Sequence, residues 1–152
     1  MSKDKMQTNL AAFWDTSAIV ALCAYQPTTL AAHHFARMYP KMRAWWGATV
    51  EARSAFARLW QEKELTDREL HYALNQLKTL RQSWAEIAPG ERLREIAETL
   101  PDKYGLRAMD AFQLAAALVW CKEKPRKRPF ICFDIRLAEA AEKAGFTVYP
   151  EP

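Results

Sequence analysis

The sequence predicts a three-layer α/β/α domain built around a parallel sheet, and three observations lead there. Short apolar runs alternate along the chain with segments of helical period, the pattern of strands separated by amphipathic helices. Strands joined through helices take right-handed crossovers, which lay parallel strands side by side and cover both faces of the sheet. The length, 152 residues with 50% hydrophobic and 26% charged, suffices for one core without the disulfide staples that chains below about 80 residues need.

Leu10 to Trp14 is an apolar run that stops at Asp15 and reads as the first strand. Thr16 and Ser17 lead into a helix from Ala18 to about Tyr25. Gln26-Pro27-Thr28-Thr29 is a turn with a new N-cap, opening a helix to about Met38 before Pro40. Met42 to Thr49, apolar and rich in tryptophan, predicts a buried strand holding Trp45 and Trp46, and Glu51 to Trp60 a helix. Thr66 and Glu69 have capping-box spacing and open a long amphipathic helix to about Trp84. Pro89-Gly90 separates it from a short helix over 91–99, and the pair is expected to form a small helical insertion, about 66–99. A turn from Pro101 to Gly105 precedes the most apolar helix, about Arg107 to Lys122. On it Ala111, Leu114, Ala115, Leu118 and Val119 share a face, and Ala115-Ala116-Ala117 permits close packing on a sheet. Pro129 to Phe133 is a strand, Leu137 to Lys143 a helix ended by Gly145, and Thr147 to Tyr149 the last strand. Residues 1–9 read as a polar tail ahead of a single domain over 10–150.

Composition excludes several classes. Cys23, Cys121 and Cys132 are odd in number with no CxxC spacing, which argues against a disulfide framework or a zinc ribbon and for small buried hydrophobes. No stretch approaches about 18 uncharged apolar residues, so neither a signal peptide nor a membrane span is expected, and the location expected is cytoplasmic. The balance of 22 Lys+Arg against 18 Asp+Glu gives +4, a mild pointer to an anionic partner. Five cations and one acid fall in the seven residues from Lys122 to Arg128. This loop precedes the strand ending at Asp134, so it is expected at that strand's amino end, where a solvated loop after a helix C-terminus explains it as well as a contact to phosphates or a partner does.

Four acids do not belong in their surroundings. Asp15 follows Ala11-Ala12-Phe13-Trp14, Glu51 follows Trp45-Trp46-Gly47-Ala48-Thr49-Val50, Asp110 interrupts an apolar helix start, and Asp134 ends Pro129-Phe130-Ile131-Cys132-Phe133. Three of them follow predicted strands, and ligands of open parallel α/β sheets bind at the carboxyl ends of the strands. Asp110 starts a helix, where the dipole favours negative charge. Converging carboxylates raise each other's pKa unless a cation sits among them, and Mg²⁺ takes such oxygen ligands. Taken singly, Asp15 and Asp134 also fit N-caps; four coincidences at strand ends fit one site better.

Asp15-Thr16-Ser17-Ala18, Glu51, Leu106-Arg107-Ala108-Met109-Asp110-Ala111-Phe112-Gln113-Leu114-Ala115-Ala116-Ala117, and Phe133-Asp134-Ile135-Arg136-Leu137-Ala138-Glu139-Ala140-Ala141 with its Gly145-Phe146 ending resemble the PIN-domain ribonucleases. Within these the chain is most similar to the VapC-type toxins of bacterial toxin–antitoxin operons, in the right order over about 10–150. The resemblance implies a Mg²⁺- or Mn²⁺-dependent endoribonuclease in which metal-activated water cleaves RNA phosphodiesters, leaving a 5′-phosphate and a 3′-hydroxyl. It implies Asp15 and Asp110 as principal metal ligands, Glu51 and Asp134 completing the cluster, and Ser17 ordering the first acid, the metal shell or the attacking water. It also implies a homodimer held inactive by a small antitoxin whose C-terminal segment covers the site. One departure stands out: many members carry Thr two residues before the fourth acid, where this chain has Cys132.

Other features point less sharply. His33 and His34 are adjacent and diverge on a helix, and His71 is isolated, which disfavours a histidine-driven ribonuclease. The six tryptophans suit a core, an oligomer contact or an antitoxin groove better than base stacking. Two rivals remain. A haloacid dehalogenase-like phosphohydrolase also begins with Asp after strand one, but it wants a second Asp where Ser17 stands. A non-catalytic PIN-like module binding RNA or protein would need no intact acids, and all four are present.

Overall fold

The computed structural model describes residues 10–152; the expected tail, 1–9, lies outside the described residues. The order is β1 (Ala11–Trp14), α1 (Thr16–Cys23), α2 (Thr29–Met38), β2 (Lys41–Trp45), α3 (Ala48–Gln61), α4 (Asp67–Ser83), β3 (Ala85–Ile87), α5 (Glu91–Tyr104), α6 (Ala108–Trp120), β4 (Pro129–Ile131), α7 (Ile135–Ala144) and β5 (Thr147–Tyr149). The five strands form one all-parallel sheet in the order β3-β2-β1-β4-β5. Central β1 pairs Ala12 with Met42 of β2 and Trp14 with Ile131 of β4.

Alternation along the strands sorts their side chains onto two faces. Phe13, Trp45, Phe130 and Val148 pack with Leu93, Ile96, Leu114 and Leu137, so α5, α6 and α7 cover one side. Trp14, Met42 and Ile131 pack with Ile19, Phe35, Phe56 and Leu77, so α1 to α4 cover the other. Helices on both faces make the expected three-layer α/β/α architecture. All five residues from Ala11 to Asp15 are buried, the near-continuous burial that a central parallel strand requires. Among the described residues no helix is long and apolar enough to cross a membrane.

The structure corrects several sequence expectations. β2 stops at Trp45, and α3 begins at Ala48, three residues before Glu51. Trp46 is therefore outside the strand and 55% exposed, whereas Trp45 is buried and stacks on Phe112 at 5.6 Å. The turn expected at Pro101–Gly105 is the end of α5, which passes through Pro101. Proline forfeits one helical N–H, yet Leu93, Ile96, Ala97 and Leu100 keep their buried face. Gly105, at φ +67°, closes the helix by donating its N–H to the Pro101 carbonyl at 2.8 Å. Residues 66–99 are not an insertion set apart from the sheet, since β3 lies between the two helices and pairs with β2. Its Ala-Glu-Ile sequence is too short and too polar to announce an edge strand.

Candidate active site

The strand order reverses direction between β1 and β4: the chain moves from β1 to β2 and β3 on one side, and to β4 and β5 on the other. Such a switch point opens a crevice beyond the carboxyl ends of the two strands. Asp15 follows β1 and Asp134 lies three residues beyond β4, so the reversal itself brings these two acids to the crevice. The Asp15 N–H donates to the Ile131 carbonyl at 3.0 Å and ties the two strand ends together.

Asp15 is 4% exposed and has company. Ser17 donates to its Oδ2 through the backbone N–H at 3.1 Å and through the hydroxyl at 2.6 Å. The Cys132 thiol donates to the same oxygen at 3.5 Å, and the Ser17 hydroxyl accepts the Phe133 N–H at 2.9 Å. Asp15 thus N-caps α1 while standing in the crevice, so capping and site membership coexist. Burial raises its carboxyl above the ordinary value, and the bonds from Ser17 and Cys132 oppose that rise. Asp134, exposed, caps α7 by accepting the Leu137 N–H at 3.0 Å. Ser17 therefore orders the first acid, and the Cys132 thiol takes part in the same bonding.

Glu51 and Asp110 each sit in the first turn of a helix, α3 and α6. Burial lifts Glu51 to about 7, with the Asp15 and Asp110 charges adding and Gln113 and Thr16 opposing. Burial also lifts Asp110 to about 6, raised further by Asp134 and Asp15 and held back by Arg136 and Arg107. Asp110 feels two of the other three acids and Glu51 feels two, so the four expected positions form one electrostatic group. Among the described residues no three His, Cys, Asp or Glu side chains are close enough to make a closed metal cage by themselves. A hard divalent cation needs less, because Mg²⁺ engages one or two carboxylates and keeps waters. Glu51 Oε1 is buried without a donor, and an unanswered carboxylate oxygen fits such an ion.

The crevice is a cleft of about 650 Å³, walled by Thr16, Ser17, Glu51, Arg58, Met109 and Phe133 among others. Glu51 lines it directly, Asp15 lies between strand end and Ser17, and Asp110 follows Met109. Two participants escaped sequence reasoning. Gln113, fully buried, donates from Nε2 to Thr16 Oγ1 at 2.7 Å and to Glu51 Oε2 at 3.2 Å. Its signal was a lone amide within an apolar helix, three residues after Asp110. Arg58 repeats at i+7 from Glu51 on α3, with Ser54 between them on the cleft-facing stripe.

Fold and site together define an α/β/α domain with a cleft lined by Glu51 beside its topological switch point, where Asp15 follows the central strand. No protein-family model matches the chain, and no curated protein does. Among solved structures, PAE2754 from Pyrobaculum aerophilum superposes with a TM-score of 0.62 at 19% identity, covering 93% of this chain and 91% of that one. That similarity shows a shared fold over nearly the full length of both chains.

Proposed function

We propose that this chain is a metal-dependent endoribonuclease of the PIN-domain kind, similar to VapC-type toxins, hydrolysing RNA phosphodiester bonds. The observation that carries the reading is geometric: the ends of β1 and β4 bring Asp15 and Asp134 to the switch point and Glu51 lines the adjoining cleft, with burial raising Asp15, Glu51 and Asp110 above ordinary carboxylate values. Perturbed acids concentrated in a cleft are a mark of function. Asp15, Asp110, Glu51 and Asp134 would hold Mg²⁺ or Mn²⁺, which when bound supplies Lewis acidity and an activated water. Ser17 fixes the Asp15 carboxylate through two hydrogen bonds, and Gln113 with Thr16 fixes Glu51. Arg58, exposed on the cleft wall, would meet a phosphate of the RNA. Val50 and Met109, both exposed on the cleft wall, support a protein cover such as a cognate antitoxin or a second copy of the chain.

Purified protein with Mn²⁺ and a labelled RNA tests this. Asp15→Asn and Asp110→Asn should each slow cleavage roughly a hundredfold or more with far-UV circular dichroism unchanged. Wild-type rates in either variant, or cleavage persisting under strict chelation, would overturn the reading. Growth arrest on expression, relieved by the neighbouring upstream gene, would separate a toxin from a housekeeping nuclease. The near-complete burial of Asp15 favours one second reading, a closed, non-catalytic module; RNA binding with no cleavage under any divalent cation would establish it.

A further inference from the structure

The surplus of positive charge sits far from the acids. The loop's five cations and one acid, taken from 22 and 18, leave 17 of each in the rest of the chain. Its one acid, Glu123, is already matched: Arg92 of α5 grips it with Nη2 at 2.7 Å and Nε at 3.1 Å. Among the described residues no carboxylate lies within ion-pair reach of Lys122, Lys124, Arg126 or Lys127. All four are exposed.

The loop is also built. Lys122, Glu123 and Lys127 hold left-handed backbone at φ +54°, +60° and +62°, conformations that non-glycine residues keep only where surroundings impose them. Backbone bonds impose them here: Lys124 N–H to the Cys121 carbonyl, Arg128 N–H to Pro125, and Thr147 N–H of β5 to Arg128. The Arg128 guanidinium lies over the Trp120 ring at 5.3 Å. A cavity of about 340 Å³ adjoins the loop, lined by Thr99, Lys103, Tyr104, Glu123 and Pro125 among others. A loop backbone fixed in advance loses little freedom on meeting a polyanion.

We propose that this loop is a second docking surface for RNA, seating backbone phosphates outside the cleft; the proposal rests on the ribonuclease reading. Six residue steps lead from Arg128 to Asp134, about 20 Å at full extension. One strand of a duplex covers that length in roughly six phosphates. A structured RNA can reach both ends of β4, and a very short one cannot.

Binding is read by fluorescence anisotropy in EDTA, so that no RNA is cut, with a 30-nucleotide stem-loop and a four-nucleotide single strand. The triple variant Lys124→Gln/Arg126→Gln/Lys127→Gln should bind the stem-loop about tenfold or more weakly, its log–log salt slope falling by about two. Affinity for the four-nucleotide strand should fall by a smaller factor, because it carries too few phosphates to engage the whole surface. If left-handed Lys127 tolerates no substitution, Lys124→Gln/Arg126→Gln alone should lower the slope by about one and a half. An unchanged slope and affinity, a loss shared in full by the short strand, or no stem-loop binding by the wild type overturns the proposal. A wild type that never cleaves RNA while the loop variants still lose the stem-loop would remove the cleft's activity and leave the docking surface.

Discussion

Gln113 is where the cleft's chemistry depends most on one uncharged side chain. Its amide nitrogen serves Thr16 and Glu51, while its own Oε1 and Glu51 Oε1 are buried without donors. A buried orphan carbonyl costs about 1–3 kcal/mol, and each bond made gains about 1. Gln113→Leu deletes both but also takes the donor from Thr16 Oγ1 and Glu51 Oε2, so folding stability should fall by about 1–3 kcal/mol. It also frees the Glu51 carboxylate to swing, so Mn²⁺ affinity should fall by roughly tenfold or more, the usual cost of losing a ligand's hydrogen-bonded support. Urea unfolding and Mn²⁺ titration separate the two effects; a large stability loss with unchanged Mn²⁺ affinity would make Gln113 a structural residue only. The four acids were legible because each breaks an apolar context. Gln113 was not, because glutamine in a helix ordinarily faces water, and the residue it supports is 62 positions away.

Among the elements, the β2–α3 junction shows most clearly what residue patterns convey and what they omit. The run from Met42 to Thr49 is apolar throughout, so periodicity alone extends the strand through Trp46 and delays the helix. Gly47 decides otherwise. A Cβ there would stand 2.6 Å from Trp45 Nε1, and that ring is held by its stack on Phe112. Glycine lets the chain turn over the indole and start α3 early enough to deliver Glu51 within its first turn. Gly47→Ala should therefore cost about 1–3 kcal/mol, as overpacking does, and reduce Mn²⁺ binding as Glu51 shifts. Gly90→Ala is the control, since nothing lies within 4 Å of its Cβ position and both glycines are N-caps, so the cost of alanine at a cap, about 0.5–1 kcal/mol, is common to the two variants. Equal stability of the two variants by denaturant unfolding would remove this role from Gly47. Elsewhere the long periodic segments, α4 and α6, were legible to within a few residues. β3 was not, because three residues at a sheet edge carry no period to read.

Taken whole, the molecule separates its charges, with mutually raised acids beyond the carboxyl ends of the strands and unmatched cations at the amino end of β4. This arrangement stores a pH dependence whose sign is fixed. Glu51 in the fold titrates at about 7 and Asp110 at about 6, against about 4.3 and 3.9 for the unfolded chain. The folded state therefore holds protons the unfolded state has released. The stability this lends is complete below about pH 4 and is lost as pH rises through 6 and 7. Facing these two groups are the Asp15 and Asp134 carboxylates, which deepen the loss, and Arg107 and Arg136, which limit it at Asp110. In EDTA, Glu51→Gln should melt above the wild type at pH 8, and the gap should close toward pH 5, where the wild-type carboxyl is already neutral. Added Mn²⁺ should raise the wild-type melting temperature more at pH 8 than at pH 5, because the ion replaces the missing protons. It should do less for Glu51→Gln. A gap between variant and wild type that is the same at both pH values would mean that Glu51 does not share its charge with the cluster, and the cleft would lose its claim to hold a cation.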